Sequence, residues 1–103
     1  MDTETKVYTR YSILTEDINR GEVARLCREH RIDCTLYAGV GLFNGNIEES
    51  LTVVHLAPLE ANVREEIKAL ARDIKAENNQ REIWITEETV TLKKLLDNTP
   101  AIG

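Results

Sequence analysis

The tripeptide Asn44-Gly45-Asn46 separates two apolar, β-rich runs, Cys34–Phe43 and Ile47–Leu56. Asn-Gly takes the positive φ angles of a tight hairpin at little cost, so the middle of the chain is expected to fold back on itself as antiparallel neighbours. Gly39 and Gly41, inside the first run, predict a bulge or a point where another part of the chain comes close. They do not form a phosphate-cradling loop, because such loops open a helix and these residues lead into a strand.

The flanks of this hairpin repeat one pattern. Val7–Leu14 reads Val-Tyr-Thr-Arg-Tyr-Ser-Ile-Leu, a strand with Val7, Thr9, Tyr11 and Ile13 on one face and Tyr8, Arg10, Ser12 and Leu14 on the other. Thr15 or Asp17 is expected to cap a helix carrying Ile18, Val23, Leu26, Cys27 and His30 on one stripe, regular from about Glu22 because Gly21 weakens its first turn. After the hairpin, Pro58 suits a helical first turn, and Val63, Ile67, Leu70 and Ile74 follow at spacings of 4, 3 and 4. Asn78 and Asn79 tolerate the left-handed conformation that ends a helix. Glu82–Thr86 reads as a strand, Glu87-Glu88 as a turn, and Thr89–Lys93 as a small extra strand.

This order predicts an α+β fold, the ferredoxin-like βαββαβ sandwich, with both helices on one face of an antiparallel sheet and a short additional C-terminal strand. One domain is expected over residues 1–103, with a folded core at 6–96 and a flexible tail at 97–103. The uncovered face is expected to be half apolar, with Tyr8, Leu36 or Tyr37, Val54 and Trp84 contributing, and a chain this small gains core by pairing such faces. A homo-oligomer, dimer or trimer, follows as the expectation.

Charge and cysteine content narrow the function classes. Thirteen basic residues against eighteen acidic ones leave a net charge of -5, which argues against general nucleic-acid binding. Apart from Met1, the first six residues are polar or charged, and no run approaches the roughly 18 apolar residues of a membrane span, so a cytoplasmic location without membrane attachment is expected. Cys27 and Cys34 are too few for a disulfide framework. With His30 and His55 they match no closed zinc motif, and structural cysteines with no metal or other cofactor are expected. Glu48 and Glu49 point to opposite faces of a strand and suit a solvated shoulder better than a proton-sharing pair. No Ser/His/Asp or Cys/His arrangement stands in a recognisable context, so the chain reads as a non-enzyme. An enzyme on this sandwich would need Glu48, Glu49 or His55 titrating in a closed pocket.

Two resemblances follow from these residues. Gly39-x-Gly41-x-Phe43, Glu49-Ser50 before a strand and Asn79-Gln80 before Ile83 are similar to small uncharacterised bacterial and phage proteins with this type of sandwich, a family that brings no established activity. The strand–acidic turn–strand segment Ile83–Leu92, with a glycine-bearing second strand, a hairpin, an apolar third strand and an amphipathic helix before it, resembles the PII-like signalling proteins. That resemblance implies a trimer binding nucleotides in clefts between subunits. Two departures from the family stand out: the loop between the second and third strands is reduced to Asn44-Gly45-Asn46, and Asn79-Gln80-Arg81-Glu82 replaces a glycine-rich, lysine-bearing segment.

The expected function is therefore a homo-oligomeric binding protein that senses or sequesters a small, nucleotide-type ligand at an intersubunit cleft. Tyr8, Tyr37 and Trp84 would stack on a base, Asn79 and Gln80 would hydrogen-bond it, and Arg10 and Arg81 would answer phosphate. The alternative is a phage-encoded protein-interaction module that inhibits a host or defence protein, its acidity and half-apolar sheet suiting a basic partner site.

Overall fold

The computed structural model describes residues Asp2–Leu96; the expected tail at 97–103 lies outside them. The elements run β1 (Asp2–Glu16), α1 (Arg20–Glu29), β2 (Thr35–Phe43), β3 (Asn46–Pro58), α2 (Arg64–Glu77) and β4 (Trp84–Leu96). The four strands form one sheet in the order β2-β3-β1-β4, every neighbouring pair antiparallel. This is the ferredoxin-like βαββαβ arrangement. No helix among the described residues is long and apolar enough to cross a membrane.

The hairpin forms as the Asn-Gly signal demands. Asn44 and Gly45 both have positive φ, 52° and 79°, and Phe43 pairs directly with Asn46. The expected bulge at the glycines is absent, because β2 and β3 pair one for one from Thr35↔Val54 to Phe43↔Asn46. Gly41 instead makes room for an aromatic ring: a Cβ built there would collide with the side chain of Phe43.

The core lies between the helices and one face of the sheet. Tyr11 and Ile13 of β1 and Leu51, Val53 and Ala57 of β3 meet Val23, Leu26 and Cys27 of α1 and Ile67, Leu70, Ala71 and Ile74 of α2. Burial alternates along the strands with the period of two that the sequence carries. The helix starts differ from expectation. Asn19, not Thr15 or Asp17, accepts the Glu22 N–H at 3.4 Å, since Thr15 is still inside β1 and Asp17 is engaged by Arg20. Ile18 precedes the helix and is exposed. Pro58 is the last residue of β3, and α2 begins only at Arg64 after a turn closed by Ala61 N–H donating to the Pro58 carbonyl at 2.9 Å.

Both helices end alike. Arg31 and Asn79 adopt positive φ, 56° and 52°. In α1, Arg31 N–H donates to Arg28 O and Ile32 N–H to Cys27 O; in α2, Asn79 N–H donates to Ala76 O and Gln80 N–H to Lys75 O. These paired bonds are the Schellman termination, which satisfies carbonyls that the last turn leaves without helical partners.

The extra C-terminal strand is not a separate element, nor is Glu87-Glu88 a turn: β4 runs unbroken for 13 residues. Successive strand residues face opposite ways, and each acid finds an arginine. Glu88 accepts from Arg10 at 2.9 Å on one face, and Glu87 takes both forks of Arg64, at 2.8 and 3.1 Å, on the other. The second half of β4 is held because β1 begins at Asp2, well before Val7, and lays Thr3–Val7 against Thr91–Leu95. The long strands give a radius of gyration of 16.5 Å, against about 13 Å for a compact chain of this length, so the sheet overhangs its helices. Val40, Leu42 and Ile47 at the hairpin tip are consequently more than two-thirds exposed.

Candidate functional site

The uncovered face is built in rows, because residues paired across antiparallel strands share a face. One row reads Tyr37–Thr52–Leu14–Trp84 from edge to edge; the next reads Thr35–Val54–Ser12–Thr86. Beyond these lie Leu56–Arg10–Glu88 and Pro58–Tyr8–Val90. Tyr37 and Trp84, 58% and 63% exposed, therefore stand on opposite edges of one row. Three strand spacings of about 4.8 Å put them roughly 14 Å apart, too far to sandwich one base within a single copy.

Two hollows open on this side. The first, about 640 Å³, lies on the face itself and is lined by Arg10, Ser12, Cys34, Tyr37, Val54 and Glu88 among others. Its one arginine is engaged by Glu88. The second, about 490 Å³, sits where β4 begins beside the β2–β3 arm, and Phe43, Trp84, Gln80, Glu16, Glu48 and Glu82 give it its character. Two aromatic rings, on opposite edge strands of the sheet, and several carboxylates line it, with no lysine or arginine in the lining. Such a surface attracts cations through both the ring faces and the acids, and repels phosphate.

The floor of the second hollow is held by a polar knot. Asn78, buried at the C-cap of α2, donates from Nδ2 toward Thr15 Oγ1 (3.2 Å), Gln80 Oε1 (3.0 Å) and the Glu16 carbonyl (3.3 Å). Thr15 Oγ1 also donates to Gln80 Oε1, and Gln80 Nε2 donates to the Glu82 carbonyl at 3.3 Å. The knot ties the end of α2 to the end of β1 and fixes the Gln80 side chain.

The sequence-predicted residues are thus divided. Arg10 and Tyr37 line the first hollow, and Gln80 and Trp84 the second. Tyr8 lies farther along β1 beside Pro58 and Val90. Asn79 spends its conformation on the helix end and its side chain is exposed, as is Arg81 in the loop that follows. Sequence reasoning named no role in the site for Phe43, Glu16 or Glu82, and read Asn78 as a helix end. For Phe43 a signal existed in the Gly-x-Gly-x-Phe spacing, since a ring two residues past a strand glycine has room to fold back over it. Glu16 ends β1 and Glu82 lies in the loop before β4, so the two acids left no local pattern.

Among the described residues, no group of three or more His, Cys, Asp or Glu is arranged to hold a metal ion. Both ring nitrogens of His30 face carboxylates, Nδ1 to Glu66 at 2.9 Å and Nε2 to Asp73 at 2.6 Å. These contacts, Glu66 first, raise the His30 pKa above its ordinary value and tie α1 to α2. His55 Nδ1 lies 2.7 Å from the Asp33 carbonyl.

No protein-family model and no curated protein matches this sequence. Solved structures do resemble it in fold. CPII, a nitrogen regulatory PII-like protein from Thiomonas intermedia K12 bound to ADP, AMP and bicarbonate, superposes with a TM-score of 0.59 at 8% identity, over 90% of this chain and 100% of that one. A phage SAM lyase in complex with S-methyl-5'-thioadenosine gives 0.61 at 11% identity, over 84% and 90%. The Bacillus subtilis GlnK–ATP complex gives 0.54 at 14%, over 80% and 82%. At these identities the likeness is one of fold alone, the arrangement of strands and helices that this chain shares with PII-like proteins and with the phage SAM lyase.

Proposed function

We propose that this chain binds a small adenosine-type ligand in the second hollow, as a homo-oligomer in which a neighbouring copy completes the site. The observation that carries the reading is the lining itself: Phe43 and Trp84, on opposite edge strands, each offer a separate ring face, Gln80 is held in place by Asn78 and Thr15, and the remaining polar groups include Glu16, Glu48 and Glu82. The three fold relatives hold ADP and AMP, S-methyl-5'-thioadenosine, and ATP, which have adenosine in common. The acids favour a neutral or positively charged adenosine compound over a polyphosphate. The exposed apolar hairpin tip, and the separation of Tyr37 from Trp84 on one sheet, support completion by a second copy.

On this reading the protein senses or sequesters its ligand without altering it. A second reading, an enzyme acting on a sulfonium nucleoside, is favoured by the same carboxylates together with the likeness to the SAM lyase. Calorimetric titration with ATP, AMP, S-methyl-5'-thioadenosine and S-adenosylmethionine separates the possibilities. The expected result is heat with the last two, none with ATP, and affinity lowered about tenfold or more by Trp84→Ala and by Glu82→Gln. Chromatography of S-adenosylmethionine after incubation decides between the readings: an unchanged nucleoside means sequestration, and conversion means an enzyme. Absence of heat with every compound overturns both.

A further inference from the structure

β4 is an outer strand of the sheet, and its free side has no neighbouring strand among the described residues. Proteins usually blunt such an edge with a proline, a bulge or a short strand. β4 has none of these. Trp84–Leu96 contains no proline or glycine, runs for 13 residues, and pairs one for one with β1 from Asp2↔Leu96 to Leu14↔Trp84. Apolar side chains stand open at both of its ends, Trp84 at 63% and Leu95 at 64% exposure.

The charges of this edge fall in two blocks. Glu87 and Glu88 occupy the first half, Lys93 and Lys94 the second, and Thr89–Leu92 between them is uncharged. All four charged side chains are exposed. A second copy laid alongside in the same direction would set acid on acid and lysine on lysine. Laid antiparallel about a twofold axis at Val90, the midpoint of the strand, it pairs every residue of β4 and matches opposite charges. Glu87 then faces the second copy's Lys93 on the helix side of the sheet, and the reciprocal pair forms with it. Glu88, on the open side, lies diagonal to the second copy's Lys94, a separation that long side chains span. Each carboxylate keeps the arginine of its own chain, Arg64 for Glu87 and Arg10 for Glu88, so cations flank it from both copies. The other outer strand carries no such code: β2, Thr35–Phe43, has no charged residue and two glycines, which weaken pairing.

We propose that two copies of this chain join edge to edge through β4, antiparallel about Val90, to make one continuous eight-stranded sheet. Main-chain hydrogen bonds along the two edges supply the affinity, and the acidic and basic blocks set direction and register. The pairing rests on the homo-oligomer of the proposed function and gives it a geometry. The second copy's Leu96 comes opposite Trp84, on the open side of the sheet, and extends the wall of the second hollow.

The test is sedimentation equilibrium of the full chain at low salt, for the wild type and two charge-reversed variants, Lys93→Glu with Lys94→Glu and Glu87→Lys with Glu88→Lys. The expected wild type is a dimer. Each variant alone should dissociate at a concentration about a hundredfold higher, because like charges then face each other. An equimolar mixture of the two variants should restore a dimer holding one of each. Lys93→Gln with Lys94→Gln, which removes the charge without reversing it, should weaken the dimer less and decides the matter if a reversed variant does not fold. A wild type that stays monomeric overturns this pairing and the homo-oligomer together. A trimer, a dimer indifferent to these changes, or a mixture that stays dissociated overturns the pairing alone.

Discussion

Ile13 and Leu14 are neighbours in β1, yet they occupy different solvents. Ile13 is 1% exposed beneath the helices, and Leu14 is 39% exposed on the other face between Thr52 and Trp84. The same contrast runs through the sheet. Its covered face is a continuous apolar layer with Leu51 and Val53, while its open face interleaves Leu14, Val54 and Leu56 with Ser12, Thr52, Thr86 and the Arg10–Glu88 pair. One face is finished by its own chain. The other mixes polar and apolar groups and is left open by its own chain; the proposed function makes it a binding or subunit surface.

The largest expected effect is on the covered face. Ile13→Ala removes buried methyl groups and leaves a cavity, so it should cost about 2–5 kcal/mol in urea unfolding. Leu14→Ala should cost below about 1 kcal/mol when measured on dilute, dissociated chains. If Leu14→Ala costs as much as Ile13→Ala, and more so at high protein concentration, the open face is covered by a second copy. That outcome would erase the contrast and strengthen the oligomer reading.

The next effect concerns how the covering layer is anchored. Asn78→Ala deprives Gln80, Thr15 and the Glu16 carbonyl of a buried donor, and a loss of about 1–3 kcal/mol is expected by the same unfolding measurement. A cost near zero would mean that the knot does not hold α2 to β1. Arg31→Gly works in the opposite direction. Arg31 sits at φ 56°, where glycine has no steric penalty, so the melting temperature should rise, by a gain of about 1 kcal/mol. No rise would show that Arg31 is compensated by contacts of its own.

The smallest effect is electrostatic. His30 gains protons on folding because Glu66 and Asp73 raise its pKa above 6.5. Its contribution is complete below that ordinary value and disappears as pH climbs through the raised one. Both acids are more than half exposed, so solvent screening limits the contribution to below about 1 kcal/mol. Urea midpoints followed from pH 5 to 9 (about that range spans histidine titration) should fall more for the wild type than for His30→Gln. Parallel profiles would remove His30 from the attachment of the helices.

Several of these features were legible without coordinates and others were not. The hairpin and α2 announce themselves because Asn-Gly chemistry and a spacing of 4, 3, 4 are local properties. The Asn78-Asn79 helix end was legible for the same reason. Glu87-Glu88 misled, since two adjacent acids look like a turn until Arg10 and Arg64, distant in sequence, are seen to receive one each. The candidate site was half legible. Trp84 and Gln80 stood out by residue type, but their sharing a hollow with Phe43, Glu16 and Glu48 depends on the register of three strands and the reach of the β2–β3 arm.

By itself, the order of residues determined the element types, the alternation that makes one face apolar, the central hairpin and the net negative charge. All are set by interactions among residues a few positions apart, or by composition alone. Only the tertiary structure decided that β4 is one long strand, that Tyr37 and Trp84 stand on opposite edges, and that carboxylates from separate segments line one hollow with Phe43 and Trp84. The reason is physical: strand order and pairing register place residues that are far apart in the chain, and a shift of one residue would have turned every one of these side chains to the other face.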